Sequence, residues 1–288
     1  MILLENEYIK ASFLKTGAEL KQLVHKKTGM DYLWNSDREY WAKSSPVLFP
    51  IVGALKNNTY TYEGKAYSLP RHGFARDMEF EVTQVNDHTL LFTLKQTAET
   101  LKQYPFEFKL GLRYVLDDTT LSCTYEVDNP GHKDLLFSIG AHPAFKAPLV
   151  EEANYSDYQL VFNKDTELLY HKISDNLIDS ATVALPLIDG ALALRHELFY
   201  EDALVFKTMK SDQITLQDSQ AKHGLHFKYD GFPYFGIWAA KDANFVCLEP
   251  WCGIADHVGH QGKLEEKEGI NRLSPQNSWN RTWQVTCF

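Results

Sequence analysis

The sequence predicts an all-β protein, a large sandwich of antiparallel sheets with few and short helices. Three observations predict it. Apolar residues recur with a period of two in many short runs, the mark of strands that bury one face. Turn-forming residues punctuate these runs at frequent intervals, as they do between the strands of sandwiches and barrels. Helical periodicity is scarce, and "AETLKQY" at 98–104 is its clearest instance.

Taken in chain order, "NNTYTYEGKAYSL" (57–69) reads as a hairpin turning at Glu63-Gly64, and "HTLLFTLKQT" (88–97) as a strand leading into that short helix. In "LGLRYVLDDTTLSCTYEV" (110–127), Leu110, Leu112, Tyr114 and Leu116 share one face. After a turn at Asp117-Asp118, Leu121, Cys123, Tyr125 and Val127 do the same, which is the pattern of an antiparallel hairpin. Further strands are expected in "DALVFKTMK" (202–210), "QITLQD" (213–218), "YFGIWAA" (234–240), "FVCLEPW" (245–251) and "TWQVTCF" (282–288). No linker, charge block or repeat interrupts the series, so residues 1–288 read as a single domain, long enough to bury a sizeable core.

Composition narrows the function. Aromatic residues reach 13 %, which suits strands and also supplies flat faces for stacking on sugars or bases. Of these two ligands the bases are disfavoured, because a net charge of −9 argues against a surface that neutralises phosphates. No run approaches the ~18 apolar residues of a membrane span, and no membrane partner is expected. Glu5 and Glu7 interrupt the first apolar run, which is unlike a secretory signal. Cys123, Cys247, Cys252 and Cys287 are scattered and form no CxxC, the usage expected of free thiols in the cytoplasm.

Three segments depart from plain alternation. "IGAHPAF" (139–145) holds His142 on a stiff support, since Pro143 biases the preceding residue towards extended backbone. Gly140 and Ala141 beside it leave room for close approach. "LPRHGFAR" (69–76) brackets Arg71 and His72 between Pro70 and Gly73, with Arg76 following, and "CLEPW" (247–251) places Glu249 at the end of an apolar strand. There Val246 and Leu248 face one way, and Cys247 and Glu249 the other. By itself His142 fits a satisfied core histidine, and Glu249 an exposed strand end. Two histidines and a carboxylate on braced, extended segments also make an acid–base set, which needs a donor and an acceptor fixed on opposite sides of a substrate.

These motifs carry a resemblance. "FPIVGALKNNTYTYEGK", "LPRHGFAR", "IGAHPAF", "EDALVF" and "LEPWCGIAD" stand in the order and spacing of the aldose 1-epimerase (galactose mutarotase) superfamily. Over nearly the whole chain the sequence is most similar to that family's LacX-type, hexose-phosphate-mutarotase-like branch. The resemblance implies a galactose mutarotase-like supersandwich that binds a sugar in a cleft across one sheet, without a cofactor. It implies His142 as general acid and Glu249 as general base. Substrate binding falls to His72, Arg76 and, through the shorter "EDALVF" match, Asp202. Many relatives carry arginine where this chain has Ala54, and relatives acting on sugar phosphates often have glutamine where Arg71 stands. Arg71 is therefore a second candidate contact for a sugar or sugar phosphate.

The implied reaction interconverts α and β anomers by ring opening and reclosure. An imidazole near its reference pKa of ~6.5 suits it, whereas a carboxylate at ~4.3 would have to be raised by its pocket. The rival reading is a silent carbohydrate-binding sandwich, which needs no paired acid and base. "ADHVGH" (255–260) offers Asp256, His257 and His260 without the further ligands of a zinc site, so no metal is expected. His223 and His226, three apart, fall on opposite faces of a strand, and Trp238 and Trp251 suit either sugar stacking or core packing.

Overall fold

The computed structural model describes all 288 residues, and it is all-β. Nine antiparallel strands form one sheet, running in space from Ala191–Ala193 through Tyr158–Phe162, Gln213–Asp218, Gly224–Lys228, Ser278–Cys287, Thr120–Asp128, Lys109–Asp117 and Thr89–Lys95 to Glu81–Asn86. A seven-stranded sheet contains Phe245–Cys252, flanked on one side by Tyr234–Trp238, Leu204–Phe206 and the hairpin Glu167–Ser174/Leu177–Pro186. On its other side lie two short strands, Ile139–Gly140 and Ala144–Lys146. A three-stranded sheet, Ile2–Glu5, Ile9–Phe13 and Leu20–His25, and two small hairpins complete the layers.

The expected hairpins form where the turn residues allow. Glu63 and Gly64 both take positive φ between Thr59–Tyr62 and Lys65–Ser68, as a tight two-residue turn requires. Asp118 does the same between Lys109–Asp117 and Thr120–Asp128. The expected helix is Ala98–Gln103, started by a reciprocal capping box between Thr97 and Thr100. The hairpin 167–186 lacks a clean alternation because much of both its faces is in contact with water.

The main core gathers 71 buried residues from end to end of the chain. Phe49 lies at its centre, against Phe74, Tyr104, Phe108 and Phe137. Its backbone oxygen accepts from Phe74 and Ala75, so this aromatic cluster also anchors the segment that bears His72. A smaller cluster of Leu48, Val52, Ile178, Val205, Trp251, Ile254 and Ala255 sits on the other face of the seven-stranded sheet. That second face carries the candidate site.

Candidate active site

His142 and Glu249 meet at a gap in the sheet. Gly140 pairs with Trp251 and Ala144 with Cys247, so the shared register sets His142 opposite Glu249. Ala141 donates its N–H to the Pro250 carbonyl, and Leu248 donates to that of Pro143. Neither proline has an N–H to return the bond, and the ladder opens between them. Across the opening His142 Nε2 lies 3.3 Å from Glu249 Oε2, with both side chains buried. The strand does not finish at Glu249 as the sequence suggests, because Pro250 is accommodated inside it at this gap.

The ring of His142 is boxed by aromatics. Trp41 stacks on it at 4.9 Å between centroids, and Trp238 and His72 present their edges at 5.7 and 5.8 Å. Gly140 leaves room for an indole of the chain itself, not for a ligand. A Cβ at Gly140 would come within 2.5 Å of Trp251, and so would one at Gly236. Trp251 shares its face with Cys247 and Glu249, and its N–H favours the charged carboxylate without completing a hydrogen bond.

His72 sits at the third position of the turn Pro70–Gly73 with φ at 68°, a conformation that usually calls for glycine. The strain is held by Gly53, which accepts from the His72 N–H at 2.8 Å and donates to the ring Nδ1 at 3.1 Å. Burial and the charges of His142, Arg71 and Arg76 keep this imidazole neutral. Arg71 Nε donates to the ring Nε2 at 3.2 Å, so N–H groups are aimed at both ring nitrogens, of which a neutral imidazole leaves one bare to accept. Arg71 Nη1 also donates to Asn176 Oδ1 at 2.8 Å, and Arg76 donates to the Arg71 carbonyl while its buried Nε makes no hydrogen bond and lies 3.6 Å from Asp77 Oδ2.

These side chains line a cavity of about 310 Å³, in which Glu249 is the one carboxylate. His142, Glu249, His72, Arg71 and Arg76 are brought together in it. Asp202 is not among its walls. It lines a neighbouring groove that shares Ile173 and Ala203 with the cavity, and from there its charge raises the pKa of Glu249. Trp238 and Trp251 face the cavity as well as packing below it. Trp41 and Asn176 were not foreseen, since each arrives from a loop distant in sequence and carries no motif.

Burial sets the electrostatics. It pushes Glu249 well above the usual carboxylate range, against the pull of Arg71. It lowers His142 to about 3, helped by the charges of Arg71 and Arg76. The expectation of an imidazole near its reference value therefore fails, because the ring is shut away from water. Both shifts favour the state in which the pair carries one proton between them.

His142, Cys247 and Glu249 each bring a ligand atom within 4.8 Å of the others, the one such group in the chain that could hold a metal ion. Burial and the adjacent Glu249 hold Cys247 as a neutral thiol. His257 is instead engaged by Ser180 and Gly259, and His260 lies 4.0 Å from Asp256, which makes a buried ion pair with Lys267 at 2.8 Å.

Residues 1–282 match the family model described as aldose 1-epimerase. The chain belongs to the aldose 1-epimerase family. It is 32 % identical to the plasmid-encoded protein LacX of Lactococcus lactis subsp. lactis, covering 99 % of this chain and 98 % of that protein. The crystal structure of a galactose mutarotase related enzyme from Lactobacillus acidophilus superimposes with a TM-score of 0.95 at 33 % identity, over 100 % of this chain and 97 % of that one. A galactose mutarotase-like protein from Lactobacillus casei gives 0.93 at 31 % identity over the full length of both. The fold is thus the galactose mutarotase-like sandwich.

Proposed function

We propose that this protein is a mutarotase, interconverting the α and β anomers of an aldose or aldose phosphate without a cofactor. The observation that carries the reading is the His142–Glu249 contact of 3.3 Å in a cavity with one carboxylate. A silent sugar-binding module has no need of a buried pair that shares one proton.

The reaction needs one proton given and one taken. With the shared proton on His142 Nε2, that ring delivers it to the ring oxygen of the sugar while Glu249 takes the proton of the C1 hydroxyl. The ring opens, the aldehyde turns about C1–C2, and closure on the other face inverts the anomeric centre. Reversal passes the protons back, so no net charge accumulates. Burial favours the proton on Glu249; sugar hydroxyls and the Arg71 charge favour its ionised form. The Trp41 stack and the prolines hold the donor in place, which spares its reorganisation during the reaction. His72, Arg71 and Arg76 line the same cavity and supply the contacts for the sugar's oxygens. Asp202 reaches hydroxyls from the rim.

The reading extends to one domain over residues 1–288 and to a cytoplasmic setting, which four buried, unpaired cysteines support. No helix is long and apolar enough to cross a membrane. NMR magnetisation exchange between anomers, run across neutral aldoses and their 6-phosphates, tests the activity. Acceleration of at least one is expected. Acceleration of none would move the assignment to a carbohydrate-binding sandwich.

A further inference from the structure

Cys247 is a buried thiol that the proton exchange does not use. It lies two residues before Glu249 on the strand Phe245–Cys252 and on the same face, paired with Ala144 on one side and Trp238 on the other. Its sulfur, a nitrogen of His142 and a carboxylate oxygen of Glu249 lie within 4.8 Å of one another, and all three side chains are buried. We propose that these three residues form a binding site for a thiophilic divalent cation, represented by Zn²⁺, which blocks anomer exchange by occupying its proton donor and acceptor. The binding stands on the donor set alone; the block rests on the mutarotase reading.

The geometry suits a tetrahedral ion. Bonds of ~2.0–2.1 Å to nitrogen and oxygen set those two atoms roughly 3.3 Å apart, and a bond of ~2.3 Å to sulfur sets it about 3.5 Å from each. His142 Nε2 and Glu249 Oε2 already stand at 3.3 Å. The thiol has to close by at most about 1.3 Å, which a small side-chain rotation supplies. His142 and Glu249 line the cavity and give the ion its way in, and Cys247, which does not line it, closes the site from behind. The fourth position then faces the cavity. Trp251 Nε1 is buried without a hydrogen-bond partner, and its N–H favours the ionised Glu249, as an outer donor to a metal-bound carboxylate does.

The donor set also selects the ion. Nitrogen, sulfur and oxygen together suit zinc, whereas Mg²⁺ and Ca²⁺ take about six or more oxygens. Thiolate and carboxylate cancel the two charges of the ion, so the buried complex is neutral, where an unmatched charge would be costly. That neutrality matters beside Arg71 and Arg76, whose charges reach His142 and repel a bare cation. Binding expels two protons, the thiol's and the one carried by the pair, and no electron moves. With its nitrogen and oxygen on the metal, the pair neither gives nor takes a proton. Cys123, Cys252 and Cys287 are buried too, but none has a histidine and a carboxylate for company.

The test uses the full chain, reduced and stripped of metal by a chelator. ZnCl₂ titrated by calorimetry should bind at one ion per chain, and Co²⁺ in its place should show the near-ultraviolet charge-transfer band of a cobalt–thiolate bond. Cys247→Ala should abolish that band and weaken Zn²⁺ by more than ~100-fold, beyond the ~10–100-fold that an outer contact is worth. Cys252→Ser, at a buried thiol outside the cluster, should leave both unchanged. Zn²⁺ should suppress anomer exchange by the unaltered protein, and EDTA should restore it. A Co²⁺ spectrum without the thiolate band would overturn the site, and because that measurement needs no variant it decides even if Cys247→Ala fails to fold. Unchanged affinity in Cys247→Ala, or binding of neither ion, would overturn it equally. Undiminished turnover with Zn²⁺ bound would overturn the block. Absence of anomer exchange in metal-free protein would instead refute the mutarotase reading, and with it the block, while the thiolate band would still decide the site.

Discussion

Glu249→Gln preserves the shape and hydrogen-bonding reach of the side chain and removes its ability to take up and release a proton. General acid–base groups contribute ~10²–10⁴-fold, or about 3–5 kcal/mol of transition-state stabilisation. No second carboxylate lines the cavity, so no neighbour can take over, and turnover should fall by the upper part of that range, ~10³–10⁴-fold. Stability should move differently. In the unfolded chain this glutamate ionises near 4.5, whereas in the folded protein its pKa is raised, so the folded state binds more protons above that pH. This term makes stability fall as pH rises. His142, lowered from 6.5 to about 3, works the other way: the unfolded state binds more protons in that window, and stability rises with pH. Between 4.5 and 6.5 the two slopes offset each other, and above 6.5 the Glu249 fall continues until the pH passes its raised folded-state pKa. Glu249→Gln should therefore be no less stable than the unaltered protein at neutral pH, and should lose that alkaline decline. NMR anomer exchange reports the rate, and urea denaturation from about pH 6.5 to 8 the stability slope. Normal turnover in this variant would refute Glu249 as the proton acceptor. Lost turnover with an unchanged slope would refute the argument from burial.

Four further outcomes follow from the same geometry. His142→Asn should lose turnover to a similar degree, and the double variant should be scarcely slower than the poorer single one, because one proton exchange needs both groups; additive losses in the exchange assay would show independent roles. The acid limb of kcat/KM should lie far below 6.5, and Arg71→Ala should shift it upward by removing a charge that holds His142 down, as a pH–rate profile would show. Gly236→Ala should destabilise the protein by about 1–3 kcal/mol and slow turnover, since the new methyl group meets Trp251 beneath Glu249; a thermal melt unchanged from the parent would contradict the packing. If a 6-phosphate proves to be the substrate, Arg76→Ala should weaken its binding by about 1.5–3 kcal/mol and affect the neutral sugar much less, which ligand titration would measure.

Much of the architecture was legible along the chain. Period-two alternation in 110–127 and the turns at Glu63-Gly64 and Asp118 are local facts, governed by the geometry of a strand and the few residues that tolerate positive φ. The residues proposed to carry the chemistry, His142, Glu249, His72, Arg71 and Arg76, were also named from short motifs, and the cavity assembles all five. What those motifs meant locally was partly misread. Gly140 clears space for Trp251, and Pro250 lies within a strand it seemed to end, because each answers to a neighbour about a hundred residues away. Only the tertiary structure sets His142 opposite Glu249 across the gap left by two prolines, closes Trp41 over the imidazole, and places Asp202 outside the cavity. It also decides the protonation of the pair, for a pKa depends on the water and charge that surround a group, and the chain alone does not say what will surround it.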